Sequence, residues 1–100
     1  METRMKITLI VLGLLASATA QADGSRLYAA CAACHGTNGA GQGSALPVLA
    51  GQPRAQLTAS MRAFRDGSRP STIMQQIAKG FTEAEIEAIS AFLERQKAAK

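Results

Sequence analysis

Cys31-Ala32-Ala33-Cys34-His35 uses both cysteines and the only histidine of the 100-residue chain, and it limits what the rest of the sequence can fold around. Two cysteines three apart, with histidine directly after the second, form the attachment pattern of a c-type haem. Each sulfur can add across a vinyl group of the porphyrin, and the adjacent imidazole then ligates the iron from the proximal side. One short turn tethers, orients and ligates the cofactor.

The same residues serve other chemistries. A closed zinc site needs four Cys, His or carboxylate ligands, and the sequence has no second Cys/His cluster to complete one. A redox dithiol is expected beside a βαβ pattern, whereas this chain reads as helices. A plain structural disulfide leaves the following histidine unexplained. Haem attachment is the reading that uses all three residues.

The first twenty residues read as an export signal. Arg4 and Lys6 supply a positive start, Ile7 to Ala16 an apolar stretch, and Ala18-Thr19-Ala20 the small residues accepted by signal peptidase. About ten apolar residues fall short of the roughly twenty that a membrane span requires. Cleavage after Ala20 would leave residues 21–100 as one domain; the alternative is an uncleaved N-terminal anchor. Either way the folded part is expected in the periplasm or outside the cell, where this haem is normally attached.

A domain of that size has a small core and often needs a staple, which a covalent haem provides. Beyond the signal the aromatic residues are Tyr28, Phe64, Phe81 and Phe92, so aliphatic side chains, alanine and haem must form the core. Removing Glu2, Arg4 and Lys6 takes the formal net charge from +4 to +3. Two haem propionates bring that close to neutral, which is not the charge of a nucleic-acid binder.

The remaining pattern is helical throughout, with no repeat or second motif. Asp23 is placed to cap a helix that carries Leu27 and Tyr28 into Cys31. A loop from Gly36 to Gly43 with four glycines follows, allowing tight backbone paths near the haem edge; it lacks the lysine and hydroxyl of a phosphate loop. A second helix is predicted from near Pro53 to Gly67, with Leu57, Met61 and Phe64 on one face. A third runs from about Ser71 to Lys79, stopped by Gly80 in a left-handed conformation. Thr82 and Glu85 form a capping-box pattern before a last helix with Ile86, Ile89, Phe92 and Leu93 on one stripe. The expected fold is all-α, its first and last helices crossing and the haem between helices and loops.

With these residues in place, the chain resembles the class I c-type cytochromes with a single haem. The resemblance covers the whole region after the signal. It rests on Gly24, Leu27 and Tyr28 before the motif, Cys31 to Gly36 itself, Pro47 with Leu49-Ala50-Gly51-Gln52, and a methionine ahead of the C-terminal helix. It implies that the Pro47 carbonyl accepts the proton on the outer nitrogen of His35, fixing the tautomer and making the ring a better donor to iron. It also puts Tyr28, with Pro47 and Arg69, among the residues that line the haem pocket or support it from behind. Where similar cytochromes often have an aromatic residue before the leucine of the second helix, this chain has Gln56.

Removal of the signal leaves Met61 and Met74 as candidates for the sixth ligand. Met61 shares the apolar face of Leu57 and Phe64, where similar cytochromes commonly have leucine, and reads as core. Met74 follows the Arg69-Pro70 break and corresponds to the ligating methionine of similar sequences; Met61 and an open position are the alternatives. His35 with Met74 implies an electron carrier, because soft thioether coordination favours ferrous iron and two strong axial ligands leave no vacant position. The opposing reading is an open-site enzyme or gas sensor. A distal histidine acting on bound ligand is ruled out, since His35 is the sole histidine.

Arg54, Arg62, Arg65 and Arg69 make the centre of the chain basic. They read either as a solvated helix face or as groups that bind propionate and dock an acidic partner; by resemblance Arg69 is the propionate candidate. Ser71-Thr72-Ile73-Met74 and Ile77-Ala78-Lys79-Gly80-Phe81 resemble the corresponding stretch in the cytochrome subunits of flavocytochrome c sulfide dehydrogenases. That resemblance implies a flavoprotein partner that oxidises sulfide and passes electrons singly to this haem. The rival is a freely diffusing carrier between a dehydrogenase or quinol-oxidising complex and a terminal oxidase or reductase.

Overall fold

The computed structural model describes residues 23–41 and 46–97. The expected signal at 1–20 and the last glycine of the predicted loop, Gly43, lie outside the described residues. Among those described, the chain is helical and has no strand: α1 (Gly24–His35), a 3-10 turn (Thr37–Gly39), α2 (Arg54–Asp66), α3 (Met74–Lys79) and α4 (Glu83–Glu94).

Asp23 starts α1, its carboxylate accepting from the Ser25 amide at 3.0 Å and the Ser25 hydroxyl at 2.7 Å. Such a cap satisfies a backbone donor that the first turn leaves without an intrahelical partner. The helix crosses α4 at Gly24, where backbone meets backbone. A Cβ there would lie 2.3 Å from the Ala88 carbonyl oxygen and 2.8 Å from the Phe92 Cβ, so the crossing depends on the missing side chain. One turn further on, the Tyr28 and Phe92 rings pack in a tilted arrangement, centroids 5.7 Å apart and planes at 38°. Tyr28, Leu57, Ile89 and Leu93 form the buried centre, contributed by α1, α2 and α4.

The N-terminus of α2 receives no cap from Pro53. Glu94, on α4, supplies one instead, accepting from the Arg54 amide at 2.5 Å. Arg54 pairs with Glu87 at 2.9 Å, Arg62 with Glu83 at 2.8 Å and Glu87 at 3.4 Å, and Arg65 with Glu83. These pairs set α2 antiparallel to α4. Being exposed, each contributes little alone, but together they favour one register of the two helices. At its far end α2 stops on Gly67 in the left-handed conformation, φ 82°.

Two boundary expectations are corrected. Helix α3 begins at Met74 rather than Ser71, because the Ser71 hydroxyl accepts from the Gln75 amide at 3.0 Å and holds the preceding residues in a turn. Gly80 is right-handed, φ −77°. The helix ends by tightening, with Gly80 donating to Ile77 and Phe81 to Ala78, so no left-handed residue is required. Helix α4 opens with the full capping box: Thr82 N–H to Glu85 at 2.9 Å and Glu85 N–H to the Thr82 hydroxyl at 3.2 Å. Its stripe buries Ile86, Ile89 and Leu93.

Candidate cofactor site

Helix α1 ends by delivering Cys31, Cys34 and His35 to one cavity of about 450 Å³, within the usual range of roughly 300–1,000 Å³ for small-molecule sites. His35 is 7% exposed. Its Nδ1 lies 3.1 Å from the Pro47 carbonyl oxygen, and since a carbonyl only accepts, Nδ1 carries the proton. Nε2 is therefore the lone-pair nitrogen, free to act as a donor.

The turn after His35 is held by its own backbone. Gly36 has φ 84°, and a Cβ on it would lie 2.4 Å from the Gly41 carbonyl oxygen, so a side chain there is excluded both by conformation and by space. Gly41 donates to the His35 carbonyl at 2.8 Å, while Leu49 and Ala50 donate to Gly39 at 2.9 and 3.0 Å. These bonds bring the segment before Leu49 back over His35, which places the Pro47 carbonyl.

Tyr28 stands behind the cavity wall. It is 3% exposed, does not line the cavity, and donates its hydroxyl to the Gly36 carbonyl at 2.5 Å. Its contact is with the turn that follows the histidine.

Met74, the first residue of α3, lines the cavity, and so does Met61. The reading of Met61 as core is accordingly refined: it is half-buried in a cavity wall beside Leu57 and Phe64. Of the four central arginines only Arg69 lines the cavity. Its guanidinium donates to the Ser60 hydroxyl at 3.1 Å and lies 4.7 Å from the Phe64 ring centroid, which prepositions a cation at the cavity edge. Gln56 is exposed and borders the same cavity. Sequence reasoning missed Ser60 as the support of Arg69 and Glu94 as the cap of α2, both contacts across helix boundaries with no local signature.

The donor set fits a covalently held haem: two free thiols, an imidazole of fixed tautomer, thioether sulfurs and apolar walls on one cavity. It fits a redox dithiol poorly. Burial, and then the neighbouring Cys34, push the Cys31 thiol above its ordinary pKa, opposite to the lowering that activates an attacking thiol. Among the described residues no group of three His, Cys, Asp or Glu is placed to hold a metal ion directly.

Comparison with known proteins agrees with this geometry. A family model described as Cytochrome c matches residues 21–97. The chain is 35% identical over 79 residues to cytochrome c-554(548) of Halomonas halodenitrificans, covering 76% of this chain and 95% of that protein. It is 36% identical over 72 residues to the cytochrome subunit of sulfide dehydrogenase of Chlorobaculum tepidum, covering 72% of this chain and 64% of the relative. With a thiosulfate dehydrogenase electron acceptor of Stutzerimonas stutzeri it shares 38% identity over 65 residues, 62% of this chain but only 30% of the relative. Among solved structures, reduced recombinant cytochrome c4 from Pseudomonas stutzeri superposes with a TM-score of 0.73 at 26% identity, over 80% of this chain and 48% of that one. The chain thus spans nearly the whole of the Halomonas protein, about half of the cytochrome c4 and under a third of the acceptor.

Proposed function

Because this chain belongs to the cytochrome c family, whose members carry electrons on covalently bound haem c, we propose that it is a periplasmic single-haem carrier with His35 and Met74 as axial ligands. Cys31 and Cys34 would hold the haem, Pro47 would fix the His35 ring, and Arg69 would meet a propionate. The observation that carries this reading is that one cavity gathers Cys31, Cys34, His35 and Met74 while the Pro47 carbonyl accepts a hydrogen bond from Nδ1 of His35. The bound haem supplies one-electron exchange between ferrous and ferric iron. The protein would contribute the His35 imidazole held by Pro47, the Met74 thioether from the same cavity, and largely aliphatic walls. Met74 is preferred to Met61 because it stands ahead of the C-terminal helix, as the ligating methionine does in similar cytochromes.

Residues 1–20 support export with cleavage after Ala20, leaving 21–100 as the working domain. For the electron donor we favour a sulfide-oxidising flavoprotein, supported by the likeness to the Chlorobaculum subunit. The likeness to a thiosulfate dehydrogenase electron acceptor favours the second reading, a freely diffusing acceptor for another dehydrogenase. To separate them, the ferric protein is mixed with the purified flavin subunit of a sulfide dehydrogenase and sulfide. Co-elution on gel filtration with rapid haem reduction supports the subunit reading. No complex, with reduction by several unrelated dehydrogenases, supports the free carrier.

A further inference from the structure

Three polar side chains are buried among the described residues: His35, Thr58 and Ser90. Two of them, His35 and Ser90, belong to the wall of the cofactor cavity. His35 is committed through Pro47. Ser90, on α4, is 1% exposed, and its hydroxyl has no hydrogen-bond partner in the protein. It does not bond the Ile86 carbonyl one turn back, the usual resort of a serine inside a helix. Thr58 of α2 likewise buries an unpartnered hydroxyl, but it lies outside the cavity wall.

Other polar groups of the wall are engaged: Ser60 accepts from Arg69, and Gln52 donates to the Val48 carbonyl. The neighbours of Ser90 on the same helix and in the same wall are aliphatic, Ile89 and Leu93. A buried hydroxyl without a partner costs stability, and in such surroundings its dipole is poorly screened. With no bond to hold it, the hydroxyl can rotate, and its dipole follows the local field. In an electron carrier that field changes by one positive charge, present with ferric iron and absent with ferrous.

We propose that Ser90 tunes the ferrous–ferric balance of the haem, its unbonded hydroxyl reorienting to favour the ferric charge. The proposal rests on the electron-carrier reading. A dipole that is free to turn stabilises the more highly charged of two states, so Ser90 holds the reduction potential down. Polarity and burial around the cofactor are the levers by which a protein sets a haem potential, and Ser90 is the buried wall residue with an uncommitted dipole. Thr58, outside the wall, has no such part.

The test is a spectroelectrochemical titration of the haem-bearing wild type, Ser90→Ala and Thr58→Val. Alanine is smaller than serine and a better helix former, so Ser90→Ala keeps the fold, and its haem spectrum should match the wild type. At the potential where the wild type is half reduced, Ser90→Ala is expected to favour ferrous over ferric by about twofold or more, a rise of ~18 mV at about 59 mV per tenfold. Thr58→Val is expected to keep the wild-type ratio. In chemical denaturation, ferrous Ser90→Ala should unfold at or above the wild-type midpoint, because the lost hydroxyl had no partner. An unchanged or lower potential in Ser90→Ala would overturn the proposal. An equal rise in Thr58→Val would also overturn it, by showing that the two hydroxyls act together through a shared water. So would a folding constant of ferrous Ser90→Ala reduced about tenfold, the mark of a hydroxyl bonded within the protein. A wild type without covalent, reversibly reducible haem would instead overturn the carrier reading, and the role of Ser90 with it.

Discussion

His35 is held from two directions, by the covalent chain of the helix that ends on it and by a carbonyl twelve residues away. Neither constraint suffices alone, because a helix terminus leaves the ring free to rotate about χ2 and a single hydrogen bond leaves the backbone free to fray. Tyr28 links the two by tying the carbonyl of the next residue, Gly36, to the buried centre. Tyr28→Phe keeps the ring packing but removes one of the two hydrogen bonds that the Gly36 carbonyl accepts, the other coming from the Gly39 amide at 3.2 Å, and should lower stability by about 0.5–1.5 kcal/mol. A denaturation midpoint shifted by that amount, with the haem spectrum unchanged, would assign the hydroxyl to the turn and not to the cofactor. The role of the motif was legible because it is local and chemically specific. The hydrogen bond of Tyr28 was not legible, because its acceptor is a backbone carbonyl eight residues away in the turn behind the cavity.

Between elements, the α1–α4 crossing and the α2–α4 ladder do different work. The crossing is steric: Gly24→Ala places a methyl where the Ala88 carbonyl and Phe92 stand, and the forced separation should lower stability by about 1–3 kcal/mol, read from thermal or denaturant unfolding. The ladder is electrostatic and therefore dependent on pH. The hydrogen bond from Arg62, followed by that from Arg65, holds the Glu83 carboxyl below its ordinary value of 4.5. A carboxylate lowered on folding contributes stability that is complete above its unfolded pKa and is lost as pH falls through the folded one. Glu83→Gln should accordingly reduce the melting temperature at neutral pH slightly and flatten its fall below about pH 4.5. An unchanged acid limb would remove Glu83 from the account. The helices themselves were legible from Asp23, the Thr82/Glu85 box and the apolar stripes. The start of α3 was not, because a serine hydroxyl substituted for a turn of backbone bonding, and the arginine–glutamate pairing was not, because it joins residues 18 to 33 positions apart on separate helices.

For the molecule as a whole, few buried side chains surround the cavity: Leu57, Ile89 and Leu93 form the core centre and the cavity wall at once. A fold of this size therefore completes its interior with its cofactor, which is why one pentapeptide was enough to indicate the architecture. Its limit is equally physical: the pentapeptide specifies one side of the iron, and the other side depends on which methionine the chain brings across the cavity. The most direct measurement is the optical spectrum of the exported, purified protein, oxidised and reduced, for wild type and Met74→Ala, following the weak long-wavelength absorption of a methionine-to-ferric bond. The account predicts haem retained on denaturation in both proteins, with the band present in wild type and absent in Met74→Ala. Persistence of the band in Met74→Ala would transfer the ligand to Met61, and a wild type without the band would contradict the six-coordinate carrier in favour of an open-site haem protein.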